Sequence, residues 1–381
     1  MTMTQVPVAE RWKRISIDYV SPYDLYLESQ NIPIYSGYYV EDIRKIDVAW
    51  SEERGCNAAI LKLAGNEGVT ESRVSEIPPG ESTRPIKFVL DEAVYVAQGR
   101  GLTTVTPAGG GTPRTFEWQP HSLFMVPRNS TVQYSNVRGD TPARLLHYNY
   151  LPMSMAIQPD PEFYFNNPYS GPDIVEHLGS EFSSEAKVMA PADDGKGAPG
   201  LSRGMAYWYG NFFPDMQAWD KLVPFKGRGA GGQVVWVRFP ASTITAHMSV
   251  FPPQTYKKAH RHGPGVVIVI PSGEGYSVMW PEGQDKQFIP WHEGSVFVPP
   301  NRWYHQHFNV GGGNGRYLAF HAMRGFTSER VEDRARDQIE YPQEDPWIRD
   351  TFASELKKRN LASVMPEQAY KDPTYEWDYQ E

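Results

Sequence analysis

The chain has 381 residues, a formal net charge of −8 and a pI near 5.7, which argues against the basic footprint of a nucleic-acid or anionic-membrane binder. Its one cysteine, Cys56, rules out an intrachain disulfide and a thiolate metal cluster. The 33 glycines and 33 prolines, among many Val, Tyr, Phe and Trp residues, point to short strands and turns in a chain long enough for two domains.

Met1 to Arg14 contains no apolar h-region, and no later apolar run is long enough to span a bilayer, so a cytoplasmic protein with no membrane partner is expected. Residues 1–54 read as an amino-terminal extension. A first β-domain is expected over 55–150, with strands at Glu71 to Ile77, Ile86 to Ala97, Leu102 to Pro107, Ser122 to Val126 and Arg144 to Tyr150. Residues 151–231 form an irregular interdomain segment rich in Pro, Gly, Asn and Asp. Within it, Ala190 to Gly200 reads as a surface loop and Pro214 to Leu222 as a short helix packed by Trp219.

A second β-domain follows over 232–323, with strands at Val234 to Phe239, Thr243 to Phe251, Gly265 to Ile270, Gly275 to Trp280, Gly294 to Val298 and Tyr317 to His321. The carboxy-terminal extension, 324–381, carries two amphipathic helical patterns, Ser328 to Glu340 and Trp347 to Asn360. Its acidic, aromatic end, Tyr375 to Tyr379, reads either as a docking segment or as an untethered tail.

The chemistry concentrates in the second domain. His260 and His262 sit two residues apart, so in an extended strand they point to one side. His305, 43 residues after His262, can join them from a neighbouring strand. Three neutral imidazoles suit Fe, Mn, Ni, Cu or Zn and leave coordination positions open.

An internal repeat links the halves. Ile86, Phe88 and Glu92 recur 174 residues later as His260, His262 and Val266, while Pro127, Val132 and Asn136 recur 173 residues later as Pro300, His305 and Asn309. The first copy thus has Ile86, Phe88 and Val132 where the second has its histidines, and no metal is expected there. Glu92 reads as a salt-bridging or core-edge residue.

These motifs resemble the cupin family. The second half matches the family pattern at His260, His262 and Gly273, then at Gly294, Pro300, His305 and Asn309; the first keeps only Gly80, Glu92, Gly99, Pro127 and Asn136. The resemblance implies an all-β fold of two tandem double-stranded β-helix (jelly-roll) barrels. Two departures matter: the family's glutamate ligand falls on Val266, and the glycine after the proline falls on Arg302. A three-histidine centre is similar to that of gentisate and 1-hydroxy-2-naphthoate dioxygenases, bicupins that cleave aromatic rings with Fe(II) and O2. That group ordinarily holds its metal in the amino-terminal barrel, the reverse of this chain.

From this the expected function is Fe(II)-dependent dioxygenation of a hydroxylated aromatic acid or similar chelating anion, with no organic cofactor. An oxygen-independent lyase, isomerase or hydrolase using Zn, Mn or Ni, and a metal-stabilised binding barrel, stand as alternatives. His307 is a candidate acid/base and Arg302 a candidate carboxylate binder, whereas Arg261, alternating away from the ligands, is expected to pair at the surface. Tyr276, Trp280, Trp303 and Tyr304 are candidate stacking residues for a planar substrate, with His247 and His321 as further cavity candidates. Val266, Ile268 and Ile270 are expected to form an apolar cavity wall. The resemblance also implies a homo-oligomer.

Overall fold

A computed structural model describes residues 7–169, 187–189, 207–217, 222–225, 227–322 and 334–377. The expected loop Ala190 to Gly200 and Trp219 lie outside them. Alternating hydrophobicity has produced an all-β architecture of two barrels, each built from one large and one small sheet.

In the first barrel the strands Cys56–Leu63, Glu71–Ile77, Ala143–Asn149, Glu92–Gln98 and Leu123–Val126 lie side by side in that order. The facing sheet runs Ile86–Lys87, Thr131–Asn136, Gly101–Thr106, Arg114–Trp118. The second barrel repeats both orders. Its large sheet has Gln233–Arg238, Thr245–Phe251, Gly315–His321, Val267–Ser272 and Val296–Phe297; its small one has Ala259–His260, Tyr304–Asn309, Glu274–Trp280 and Gln287–His292. The register repeats too. Val132 pairs with Ile86 in the first barrel, as His305 pairs with His260 in the second.

Small residues are needed where the sheets curve. A Cβ on Gly275 would lie 2.0 Å from the Phe308 carbonyl oxygen and 2.4 Å from the Trp291 ring, and one on Gly101 would meet Ser135 and Trp118 in the same way.

Segments outside the barrels complete the sheet edges. Ile34–Gly37 pairs in parallel with the first barrel's strand Cys56–Leu63, and two residues later Tyr39–Val40 pairs with Val296–Phe297 of the second. The extension therefore staples the two barrels together. A shared core that includes Leu61, Tyr95, Leu146, Trp208, Met248 and Phe320 fills the space between their large sheets.

Several expected elements are corrected. Ile86 to Ala97 is not one strand: it breaks into Ile86–Lys87 and Glu92–Gln98, which belong to opposite sheets. Residues 214–217 form no helix; of the helical pattern at Ser328 to Glu340, residues 328–333 lie outside the described residues, and the rest is one helical turn, Arg334–Asp337, before a short strand, Gln338–Ile339. That strand pairs with Ala259 and His260, so sheet pairing overrides helical periodicity. The helix expected from Trp347 is present as Pro346–Lys357, capped by Asp345, whose side chain accepts from the Trp347 amide. Tyr375 and Trp377 dock on the body against the cluster around Tyr256 and Tyr341. No helix among the described residues is long and apolar enough to cross a membrane.

Candidate metal centre

The small sheet of the second barrel brings the three histidines together. His260 and His305 are direct cross-strand partners with ring centroids 4.2 Å apart; the His262 ring lies 4.6 Å from that of His305. One nitrogen of each falls within 4.8 Å of the other two, and among the described residues no carboxylate or thiol joins the set.

Backbone carbonyls fix two of the tautomers. His262 Nδ1 bonds the Gly263 carbonyl at 2.7 Å and His305 Nδ1 the Trp303 carbonyl at 3.2 Å. A carbonyl only accepts, so each Nδ1 carries the proton and Nε2 is the nitrogen with a lone pair to offer a metal. His260 Nδ1 is buried without a hydrogen-bond partner. Burial pushes the His260 and His305 imidazoles well below the ordinary histidine value, with the Arg228 guanidinium adding to it at His260 and the neighbouring His262 at His305. Neutral, oriented imidazoles with a lone pair to donate fit a divalent transition metal.

The loops carrying the ligands are tied down from behind. Arg261, between the first two histidines, and Arg302, three residues before the third, both donate to Asp337; the Arg302 amide also donates to the His262 carbonyl at 2.8 Å. Burial raises the Asp337 carboxyl, but hydrogen bonds from Arg336, Arg302 and Arg261 outweigh it and hold the group well below the usual carboxylate range. Arg302 thus binds a carboxylate as expected of its type, but the carboxylate is the protein's own. Arg261 pairs with Asp337 and Glu282, as its alternation suggested.

The stacking candidates divide by strand parity. Cross-strand pairing sets Met279 opposite His305 and Ser277 opposite His307 on one face; Tyr276 opposite Phe308 and Trp280 opposite Tyr304 lie on the other. Tyr276 stacks on Phe288 and Phe308, and Trp280 on Tyr304, in a core beneath the carboxy-terminal helix. The stacking candidates Tyr276, Trp280 and Tyr304 thus lie on the sheet face opposite His305 and His307. Trp303 stays at the rim, packed against the barrel interior and Tyr38.

His307 faces the barrel interior with its ring 5.6 Å from that of His305, and its Nδ1 bonds the Ser277 hydroxyl at 2.8 Å. Burial, then Lys257, pushes it down to about 3. His247 and His321 form a hydrogen-bonded pair at 2.6 Å. Burial pushes His321 down to about 3, and His262 adds to the effect. Val266, Ile268 and Ile270 join Met279, Phe297 and Tyr317 in an apolar lining.

Two buried cations were not anticipated. Lys257 is 1% exposed; its Nζ donates to the Ser249 hydroxyl and lies 4.9 to 5.4 Å from the ring centroids of Phe225, Phe251 and Tyr317. Burial pushes its ammonium well below the usual lysine value, and Arg228 reinforces this. Arg228 is also buried, donates to the Gln338 side chain at 2.7 Å and acts electrostatically on His260, His305 and His307. A lysine three residues before the histidine pair and an arginine in a Gly-rich stretch carry no local pattern that marks them.

The matching region of the first barrel is filled differently. Glu92 is buried and accepts from Arg73 at 2.9 Å and Asn149 at 3.1 Å, with His147 Nδ1 at 2.8 Å from its other oxygen. Arg54 and Glu71 extend this network at 2.9 Å.

No family model and no curated protein matches the chain. Solved structures do. The formate complex of Lactobacillus farciminis oxalate decarboxylase aligns at a TM-score of 0.47 and 14% identity, covering 78% of this chain and 89% of that one. A Bacillus subtilis oxalate decarboxylase studied for its Mn(II) centres gives 0.47 and 12%, covering 92% and 91%. Momordica charantia 7S globulin gives 0.45 and 12%, covering 74% and 83%. Likenesses of this size do not assign an activity; the two-barrel description above stands on its own strand order and register.

Proposed function

We propose that the second barrel is the active site of a metal-dependent enzyme that converts a small organic acid bound as its anion. The observation that carries this reading is the convergence of His260, His262 and His305 in a barrel where the basic side chains Arg228 and Lys257 are also buried. Three imidazoles bring no negative charge, so a divalent ion held by them would keep its full +2. When bound, that ion supplies Lewis acidity toward a carboxylate or an adjacent carbonyl or hydroxyl oxygen.

The chain's own residues do the rest. Arg228 attracts the anion in a medium where charge interactions are strong, and the Lys257 amine offers it an N–H donor. The apolar wall of Val266, Ile268, Ile270 and Phe297 excludes water. His307, fixed by Ser277, and the Lys257 amine are two groups able to hold or move a proton beside the site. Proton-transfer groups and a Lewis acid together fit oxygen-independent lyase chemistry, including carbon–carbon cleavage of the acid, and this is the reading we adopt. The similarity in fold to oxalate decarboxylases is compatible with it.

One observation favours ring-cleaving dioxygenation as the second reading: Val266 stands where the cupin pattern has a glutamate, and the resulting three-histidine set resembles that of the aromatic-acid dioxygenases. The test is anaerobic and aerobic turnover of protein loaded with Mn(II) or Fe(II), over mono-, di- and hydroxycarboxylic acids and hydroxylated aromatic acids. Substrate loss with CO2 release or isomerisation under argon supports the lyase reading. Turnover only in air, with O2 uptake matching substrate loss, replaces it by the second. No turnover of any acid with either metal would overturn both.

A further inference from the structure

The strand that carries His305 and His307 inward carries Gln306 outward, toward the carboxy-terminal helix Pro346–Lys357. There it reaches a cleft of about 280 Å3 whose lining includes Trp280, Lys286, Ile339, Glu344 and Ile348. This cleft lies behind the metal-bearing sheet, on the face opposite the histidines.

The cleft floor holds, among the described residues, a buried acceptor without a donor and a carboxylate without an ion pair. Gln306 is 1% exposed, and its side-chain oxygen is buried with no hydrogen-bond partner. Its amide nitrogen donates to the Glu344 carboxylate at 3.1 Å, and the Tyr256 hydroxyl donates to the other oxygen. Both partners of this half-buried carboxylate are therefore neutral. A buried acceptor without a donor and a desolvated carboxylate without a counter-charge each carry a free-energy cost that a ligand can remove. Burial pushes the Glu344 carboxyl up to about 7, against the hydrogen bonds from Tyr256 and Gln306 and the attraction of Arg349.

The walls indicate what kind of donor fits. Trp280 presents an indole surface, and Ala259, Ile339 and Ile348 supply apolar contact. Aromatic faces here already accept an ammonium: Lys286 Nζ lies 5.7 Å from the Trp280 ring centroid and 5.4 Å from that of Trp347. Its charge is matched by Asp345 at 2.6 Å, and Arg349, which acts on Glu344 electrostatically, is ion-paired with Glu367; among the described residues Glu344 makes no ion pair of its own. An inorganic cation would find the carboxylate but waste the apolar and indole walls.

We propose that this cleft binds a small organic cation, a primary ammonium or guanidinium compound, whose N–H groups meet the Gln306 carbonyl and the Glu344 carboxylate while its hydrocarbon part packs on Trp280 and Ile348. The site is separate from the three histidines and does not depend on the reaction assigned there. Its floor residue lies between two histidines of the metal-bearing strand, so occupancy has a direct mechanical route to that strand.

The test is calorimetric titration of the full-length protein at pH 7.5 with n-butylammonium chloride and agmatine, with n-butanol and potassium chloride as controls. At least one of the two amines is expected to bind with a dissociation constant at or below about 1 mM. Glu344→Gln should weaken that binding at least tenfold, and Ile348→Trp, which fills the cleft, should abolish it. Thermal unfolding of each variant checks the fold. If Ile348→Trp does not fold, Trp280→Ala supplies the second arm and should weaken binding at least threefold. Failure of both amines to bind, butanol binding as well as butylammonium, or full competition by potassium at equal concentration would each overturn the proposal. So would amine binding unchanged in Glu344→Gln.

Discussion

The Tyr148 hydroxyl of the first barrel donates to the Gly265 carbonyl of the second at 2.9 Å. Gly265 lies three residues after the metal-site His262, and its amide donates in turn to the Gly65 carbonyl at 2.7 Å. Beside it, the Glu67 carboxylate accepts from the Asn301 amide at 2.6 Å, in the loop leading to His305. One loop of the first barrel thus grips both metal-bearing loops of the second. A barrel without histidines at the repeated positions still has a mechanical part in the site.

Removing the Tyr148 hydroxyl tests that grip gently. Tyr148→Phe leaves the ring packed on Phe320 and takes one donor from a buried carbonyl, which should cost about 1 kcal/mol of stability. Urea unfolding of the metal-free protein measures it, and a Mn(II) titration of the same variant should show weaker binding. Unchanged metal affinity would separate the contact from the site.

Gly65→Ala is the harsher probe. The added Cβ would fall 2.4 Å from the Pro299 carbonyl oxygen and 2.6 Å from Val298, contacts that no L side chain tolerates without a shift of the chain. Overpacking at such a site costs about 1–3 kcal/mol. We expect a lowered Tm together with reduced metal occupancy, measured on the purified variant.

The buried histidines set the acid limb of stability. His147 is pushed down to about 4, by burial first and then by Arg73, and His307 and His321 to about 3. Their unfolded counterparts titrate near 6.5. Between those values the unfolded chain binds more protons, so stability falls as pH drops below about 6.5, each histidine adding up to about 1.4 kcal/mol per pH unit. Above about pH 7 these groups contribute no slope. Urea midpoints of metal-free protein from pH 8 to 5 should decline more steeply below about pH 6.5 than above it; a rise on acidification through that window would contradict the assignment of neutral imidazoles.

Lys257→Met separates anion binding from folding. Methionine keeps most of the side-chain volume and removes a buried amine, so stability should hold or rise. Binding of acetate or oxalate to the metal-loaded protein should weaken by about tenfold, the cost of one lost hydrogen bond. Undiminished anion affinity would remove Lys257 from the site.

Much of the centre was legible because repetition and alternation are written into sequence. His260 and His262 share a strand side, and the 174- and 173-residue displacements place His305 where Val132 sits, as the paired registers bear out. The same alternation argues against Tyr304, which neighbours His305 and must point the other way; aromatic content alone had suggested it. Lys257, Arg228 and Asp337 were not legible, because nothing local marks a cation or carboxylate that will be buried by a segment far away in the chain. The extension that bridges both barrels was hidden for the same reason: Tyr39–Val40 is a two-residue strand whose partner lies more than 250 residues on.

The most direct test is the metal content of the purified protein, compared with His305→Ala and with Glu92→Gln, by inductively coupled plasma mass spectrometry after loading and desalting. The account predicts about one divalent transition metal per chain, retained in Glu92→Gln and lost in His305→Ala. Metal kept at full stoichiometry by His305→Ala, or lost from Glu92→Gln while its fold persists, would contradict it and move the centre out of the second barrel.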